Sequence, residues 1–280
     1  MRTVVITGAS SGIGEAAALH LASRGVRVFA GVRRVADGAA LAARAGANLT
    51  PVTLDVTSDA SIAAARDAVG AAVGASGLDG LVNNAGISVA GPLEILPAAA
   101  LREQFDVNFF GAIAVTQAFL PLLRAARGRV VNVSSIGGKA ASPFVGAYCA
   151  SKHALEAASD ALRMELRPFG IFVSVIEPGR VATPIWDRSA RTSSARLRAL
   201  APEALAPYEK RMTALSAFAA NVKANATPPE RVAEAIERAL TAPTPRARYL
   251  VGIDARIQLV ITRLPEPLRD RIIAAFLKTG

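Results

Sequence analysis

Cysteine is nearly missing from this chain: Cys149 stands alone, which excludes an intrachain disulfide and any thiolate metal site. Histidine is almost as scarce, and His20 and His153 are too few and too far apart to suggest a metal, so none is expected. No stretch reaches the roughly 18 consecutive uncharged apolar residues of a membrane-spanning helix, although 52% of the residues are hydrophobic. Arg2 leads straight into a short apolar run without a small-residue cleavage site, so no secretory signal is read and a cytoplasmic location is the expectation. Nor does a Pro/Gly/Ser-rich linker divide the 280 residues, which leaves one large α/β domain with a small insertion and a tail. Acidic residues are outnumbered, 22 against 32 Lys and Arg, and the excess of +10 suits an anionic cofactor, an acidic substrate or an anionic membrane surface. No compact basic run with interleaved aromatics is present, so nucleic acid is not an expected partner.

What the sequence does have is alternation. Apolar strand-like runs recur at Thr3–Thr7, Arg27–Val32, Thr50–Leu54, Gly80–Asn83, Arg129–Ser134, Ile171–Ile176 and Arg248–Val251, with helical stretches between them. The runs are continuously apolar instead of half polar, as in a parallel sheet covered by helices on both faces. The pattern predicts a single doubly wound (Rossmann) α/β domain with about seven strands over residues 1–255, a helical lid insertion at about 185–226 and an amphipathic tail over 256–280. In such a sheet ligands collect beyond the carboxyl ends of the strands, where Gly8 to Gly14, Arg33, Asp55, Asn83 to Gly86, Ser135 and Pro178 to Thr183 all fall.

The first of these carries the most information. Gly8, Ser10, Ser11, Gly12, Ile13 and Gly14 lie between the apolar run Val4 to Ile6 and a helical pattern. The glycines allow a tight turn and close approach of a diphosphate, whose charge would face the free amides and positive end of the helix. The spacing G-x-x-x-G-x-G points to a dinucleotide site, though such turns also occur for geometric reasons alone. At the end of the second strand stand Arg33 and Arg34, with no carboxylate until Asp37. An NAD site usually places an acid there to hold the ribose 2′-hydroxyl, whereas a guanidinium suits a 2′-phosphate. NADP(H) is therefore preferred over NAD(H), with Arg33 the first contact and Arg34 the alternate.

Tyr148 and Lys152 are four residues apart in a helical pattern, so both project from one face and the ammonium can favour the phenolate. An unperturbed phenol titrates near pH ~10, too high for acid/base work at neutrality without such help. Cys149, one residue on, points about 100° away and reads as a small packed residue.

Thr7 to Gly14, Asn83-Asn84-Ala85-Gly86, Asn108, Ser135, Tyr148-x-x-x-Lys152 and Pro178-Gly179 with Thr183 occur in the order seen in short-chain dehydrogenases/reductases. The chain resembles that family over roughly residues 2 to 255, and phrases such as Leu54-Asp55-Val56-Thr57 and Tyr148 to Glu156 are most similar to its hydroxysteroid and retinol dehydrogenase-like branch. The resemblance implies that Tyr148 is the general acid/base, Lys152 tunes it and hydrogen-bonds the nicotinamide ribose, Ser135 polarises the substrate oxygen, and Asn108 supports a water relay. It further implies that Asp55 and Val56 meet the adenine and that Asn83, Ala85 and Gly86 form the floor beneath the ribose. Pro178, Gly179, Val181 and Thr183 would hold the carboxamide. Arg180 departs from the family pattern and would face a phosphate, an acidic substrate or solvent. Homo-oligomerisation is implied too, through helices at about 98–123 and 148–167.

Ile87, Val89, Phe144, Val145, Ile185 and Trp186 are apolar pocket candidates, which suggests an apolar steroid-, retinoid- or lipid-like alcohol or carbonyl. The segment Ile257 to Leu277 mixes apolar residues with arginines; it could contact a membrane peripherally, with packing on its own domain or a partner subunit the favoured reading. A protein that binds NADP(H) as a sensor or scaffold without turnover is the alternative to an NADP-dependent dehydrogenase/reductase.

Overall fold

The computed structural model describes residues 2–199, 202–213 and 226–277, with the backbone alone for Phe276 and Leu277. One sheet holds seven strands: β1 (Thr3–Ile6), β2 (Arg27–Val32), β3 (Leu49–Thr53), β4 (Gly80–Asn83), β5 (Arg129–Val133), β6 (Phe172–Pro178) and β7 (Arg248–Val251). Their order is β3-β2-β1-β4-β5-β6-β7, with every neighbouring pair parallel. Chain direction reverses its march across the sheet between β1 and β4, which opens a crevice beyond their carboxyl ends. The seven expected strands are all present; β6 runs on to Pro178 because Glu177 and Pro178 pair with Leu250 and Val251.

Helices α1 (Gly12–Ser23), α2 (Val35–Ala45), α3 (Asp59–Val73), α4 (Ala98–Phe105), α5 (Gly111–Ala126) and α6 (Gly146–Leu166) follow the strands. The continuous apolar runs are explained by helices on both faces. Val4, Ile6, Val28, Ala30, Val82 and Val131 face one core with Ala17, Ala18 and Leu21 of α1. Val5, Phe29, Leu81 and Val130 face the other with Val69 of α3 and Val115, Phe119 and Leu123 of α5. Each fully buried side chain of this size stabilises the fold by about 1.5–3 kcal/mol before chain entropy is charged against it.

A π-turn at Asp106–Phe110 joins α4 to α5, and the continuous helix Ala98–Ala126 is long and apolar enough to cross a membrane, one such helix among the described residues. Val115, Phe119 and Leu123 on it are fully buried against the sheet, which gives its apolar character a packing role.

Beyond β6 the chain makes α7 (Ile185–Arg198), α8 (Pro202–Leu205) and a single turn at Ala206–Tyr208. Of the expected helical insertion, residues 200, 201 and 214–225 lie outside the described residues. Then come α9 (Pro229–Thr241), α10 (Ile253–Ile261) and α11 (Glu266–Leu277). In the tail, Ile253, Ile257 and Val260 share one side of α10 and stay exposed, so that stripe does not pack on its own domain. Lys278, at the end of the tail, lies outside the described residues.

Candidate active site

The turn after β1 is built from groups that brace one another. Thr7 Oγ1 accepts the amides of Asn84 and Ala85, both at 3.0 Å, and Asn84 Nδ2 donates to the carbonyls of Thr7 and Gly8 at 2.9 and 3.1 Å. Gly8 and Gly12 sit at φ +64° and +61°, a region that side chains strain. A Cβ on Gly12 would lie 3.1 Å from the Thr183 side chain, so the glycine keeps the passage between the turn and the β6 loop open. Gly14 serves packing: a Cβ there would collide with Asn84 and the Gly8 carbonyl, and the residue does not line the cleft.

The cleft, about 460 Å³, is lined by Gly8, Ser10, Ser11, Gly12, Ile13, Arg33, Asp55, Val56, Ala85, Gly86, Ser135, Tyr148, Lys152, Pro178, Gly179, Val181 and Thr183, all singled out from sequence. Four of the expected residues stand elsewhere. Asn83 is buried, donating to Thr116 Oγ1 at 2.8 Å and Asn132 Oδ1 at 2.9 Å, because the alternation of β4 turns it inward and gives the cleft to Asn84. Arg34 forms a bidentate pair with Asp37 at 2.9 and 2.8 Å, which holds the Asp37 carboxyl below its ordinary range. Asn108 stands in the π-turn, where its amide bonds Ile87 N and O at 2.9 and 3.0 Å and Ser151 Oγ at 3.2 Å. Gly14 is the fourth.

At the β5 end, burial pushes the Tyr148 phenol up to about 12, partly offset by a hydrogen bond with the Ser135 hydroxyl. Ser135 Oγ also accepts Gly137 N at 3.0 Å and lies 3.5 Å from the Pro178 carbonyl. Burial lowers Lys152 to about 8, with the charge of Glu156 acting upward. Its Nζ donates to the Val133 carbonyl at 2.8 Å and lies 5.8 Å from the centre of the Tyr148 ring. The phenol is raised because its burial outweighs any help from the neighbouring ammonium, whose head the Val133 carbonyl holds. Cys149 is buried and its thiol is raised by that burial. Beyond β3, Asp55 Oδ1 accepts the amide and hydroxyl of Thr57 at 3.0 and 2.7 Å, and these bonds hold its carboxyl low.

Three features went unread in the sequence. Helix α7 lines the cleft with Arg188, Ser189, Thr192 and Arg196 as well as Ile185 and Trp186, so its inner face is more polar than the apolar candidates implied. Ile87 and Val89 line it too, whereas Phe144 and Val145 do not; Phe144 packs edge-on against Tyr208 instead. Arg196 is paired with Glu103 of α4, which ties α7 across the cleft. Asp254 of α10 accepts Arg180 N at 2.7 Å, with Arg180 Nε at 3.6 Å, so Arg180 braces the β6 loop instead of facing the cleft. Only the spacing of the arginines after Trp186 hinted at any of this; nothing local linked Asp254 to Arg180 across 74 positions.

A parallel sheet in this order, with a glycine turn at its switch point and Ser135, Tyr148 and Lys152 across the crevice, defines a nucleotide-binding α/β oxidoreductase. Residues 2–194 match the family model described as short chain dehydrogenase, and the chain belongs to that family. It is 40% identical to retinol dehydrogenase 16 of Homo sapiens, covering 96% of this chain and 87% of that one, which places it in the retinol dehydrogenase-like branch. Among solved structures, a short-chain dehydrogenase/reductase from Burkholderia phymatum in complex with NAD superposes with TM-score 0.80 at 27% identity, covering 97% and 95% of the two chains. A short-chain dehydrogenase from Burkholderia cenocepacia in complex with NADP gives TM-score 0.73 at 25% identity, covering 97% and 99%.

Proposed function

We propose that this protein is an NADP(H)-dependent oxidoreductase that interconverts a hydroxyl and a carbonyl on an apolar steroid-, retinoid- or lipid-like substrate. The observation that carries this reading is the convergence of Tyr148, Ser135 and Lys152 on the same cleft as the glycine turn and Arg33. When bound, the cofactor supplies the hydride in reduction and accepts it in oxidation. Tyr148 holds its proton at neutral pH because its phenol titrates at about 12, so in reduction it is set to give that proton to the carbonyl oxygen as the carbon gains the hydride. Ser135, hydrogen-bonded to the same phenol, orients that oxygen and stabilises the charge developing on it. In oxidation Tyr148 takes the hydroxyl proton back, and the positive charge of Lys152 favours the phenolate that receives it. Asn108 holds the π-turn behind the lysine helix through Ser151 and Ile87.

Support for NADP(H) over NAD(H) comes from Arg33, which lines the cleft beyond β2 while Asp37, the nearest acid, is engaged by Arg34. Ile87, Val89, Ile185 and Trp186 support an apolar substrate, with α7 and the turn after it closing over the cleft as a lid. Exposed Phe110 and Met164 on α5's approach and α6 support homo-oligomerisation through those helices, and the exposed stripe of α10 supports a partner or peripheral membrane contact for a cytoplasmic enzyme. The test is consumption of NADPH against retinoids, steroids, long-chain aldehydes and cyclic ketones. Turnover on one class is expected; nucleotide binding with no turnover on any would replace the enzyme with a sensor or scaffold.

A further inference from the structure

Lys152 is 5% exposed and, among the described residues, no carboxylate lies within ion-pairing distance of its ammonium. Such a cation is costly to keep charged, since burial favours the neutral amine. One helical turn further along α6 stands Glu156, itself 4% exposed. Gly138 lets the segment after β5 pack closely against this turn of α6: a Cβ there would lie 2.9 Å from Glu156 Cγ, 2.8 Å from Ser134 Oγ and 3.1 Å from the Lys152 carbonyl.

Glu156 belongs to a buried ion cluster assembled from four segments. Lys139, just after β5, reaches its Oε2 at 2.9 Å, and Arg248 of β7 reaches it at 3.2 Å. Glu177 of β6 faces the same two cations, with Lys139 at 3.7 Å and Arg248 at 3.1 Å. Two buried carboxyls that face the same two cations disfavour each other's ionisation. Burial and the Glu156 charge push Glu177 up to about 7. Asp160, further along α6, binds Arg248 at 2.6 Å and Arg163 at 3.4 Å, drawing part of the arginine charge away from the pair. Asp254 and Arg180 neutralise each other beside Gly179. On its other sides Lys152 meets the Val133 carbonyl and Tyr148.

We infer that Glu156 is a positioning residue for the reaction: its carboxylate, fixed by Lys139 and Arg248, is the counter-charge that keeps Lys152 an ammonium beside Tyr148. The inference deepens the oxidoreductase reading and rests on it for its catalytic meaning. Without Glu156 the lysine would lose its proton at a lower pH, and the charge that favours the Tyr148 phenolate would fade within the working range.

The test is a titration that needs no substrate. The chain has five lysines, so protein labelled with [ε-¹³C]lysine gives few signals, and Lys152→Arg assigns the one that matters. In the wild type that signal should titrate near 8. Glu156→Gln should move the midpoint down by about 0.5–1 pH unit, the size expected for losing one charge a helical turn away. An unmoved midpoint in folded Glu156→Gln, with only a lower melting temperature, would reduce Glu156 to a structural tie and overturn the inference. Should Glu156→Gln not fold, the coupling can be read from the other side. In [δ-¹³C]glutamate-labelled Lys152→Met the buried carboxyl pair should titrate higher than in the wild type, and an unchanged midpoint would equally overturn the inference. A shifted midpoint in a protein inactive on every carbonyl would keep the coupling and discard the oxidoreductase reading, whereas an active enzyme with an unshifted midpoint would do the reverse.

Discussion

At the β2 end of the cleft Arg33 and Arg188 stand in solvent, while at the β5 end Lys152 and Glu156 are 5% and 4% exposed. The same kinds of charge therefore act differently. In solvent a guanidinium is screened and gains most when a bound anion comes to it, so the β2 end can discriminate between ligands without disturbing the fold. In the interior, Tyr148 at about 12, Lys152 at about 8 and Glu177 at about 7 are all displaced by burial, so the charge of the β5 end depends on pH and suits it to the proposed proton transfer. On the proposed function, the difference assigns cofactor choice to the wet end and proton transfer to the dry end.

The sharpest way to break this division is Tyr148→Phe, which deletes the transferable proton and leaves the β2 end intact. Turnover should fall by roughly 10²-fold or more while NADPH affinity stays close to that of the wild type. Near-normal turnover in steady-state assays would remove Tyr148 from the mechanism. Next in size is Arg33→Ala. It should weaken NADPH by about 1–3 kcal/mol, as for a lost charge-assisted hydrogen bond, and barely change NADH. Equal losses for both nucleotides in fluorescence titrations would show that Arg33 does not read the phosphate.

The dry end is probed by pH. Glu177 binds its proton more tightly in the folded chain, at about 7 against an ordinary 4.5, so its contribution to stability is full below 4.5 and is lost as pH rises through 7. Glu177→Gln lacks that dependence. Between pH 5 and 8 the wild type should lose about 2–6 °C of melting temperature relative to Glu177→Gln, read by differential scanning calorimetry; parallel curves would deny that burial raises the Glu177 carboxyl. The smallest effect is expected from Arg34→Ala, since this exposed arginine is occupied by Asp37: NADPH affinity should change by less than about twofold. A loss as large as that of Arg33→Ala would exchange their roles.

The two ends also differ in how far they could be read from sequence. The glycine turn, Arg33, Asp55 and the strands around them are local patterns, and continuous apolar runs are decisive when helices cover both faces of a sheet. Asn83 misled because an Asn-Asn pair at a strand end does not reveal which side chain the pleat turns inward; the bonds to Thr116 and Asn132 decide it. The role of Arg180 stays open in the sequence because its partner is Asp254 on a distant helix. The cluster of Lys139, Glu156, Glu177 and Arg248 draws on four separated segments, and no spacing rule brings them together. Lys152 was legible as a member of a helix-face pair with Tyr148, but not the Val133 carbonyl that holds its head.

The most direct measurement is fluorescence titration of the purified protein with NADPH and NADH, repeated at low and high salt. The account predicts NADPH binding clearly tighter than NADH, with the gap narrowing as salt screens Arg33. Equal affinity for the two nucleotides at both salt concentrations, or no binding of either, would contradict it.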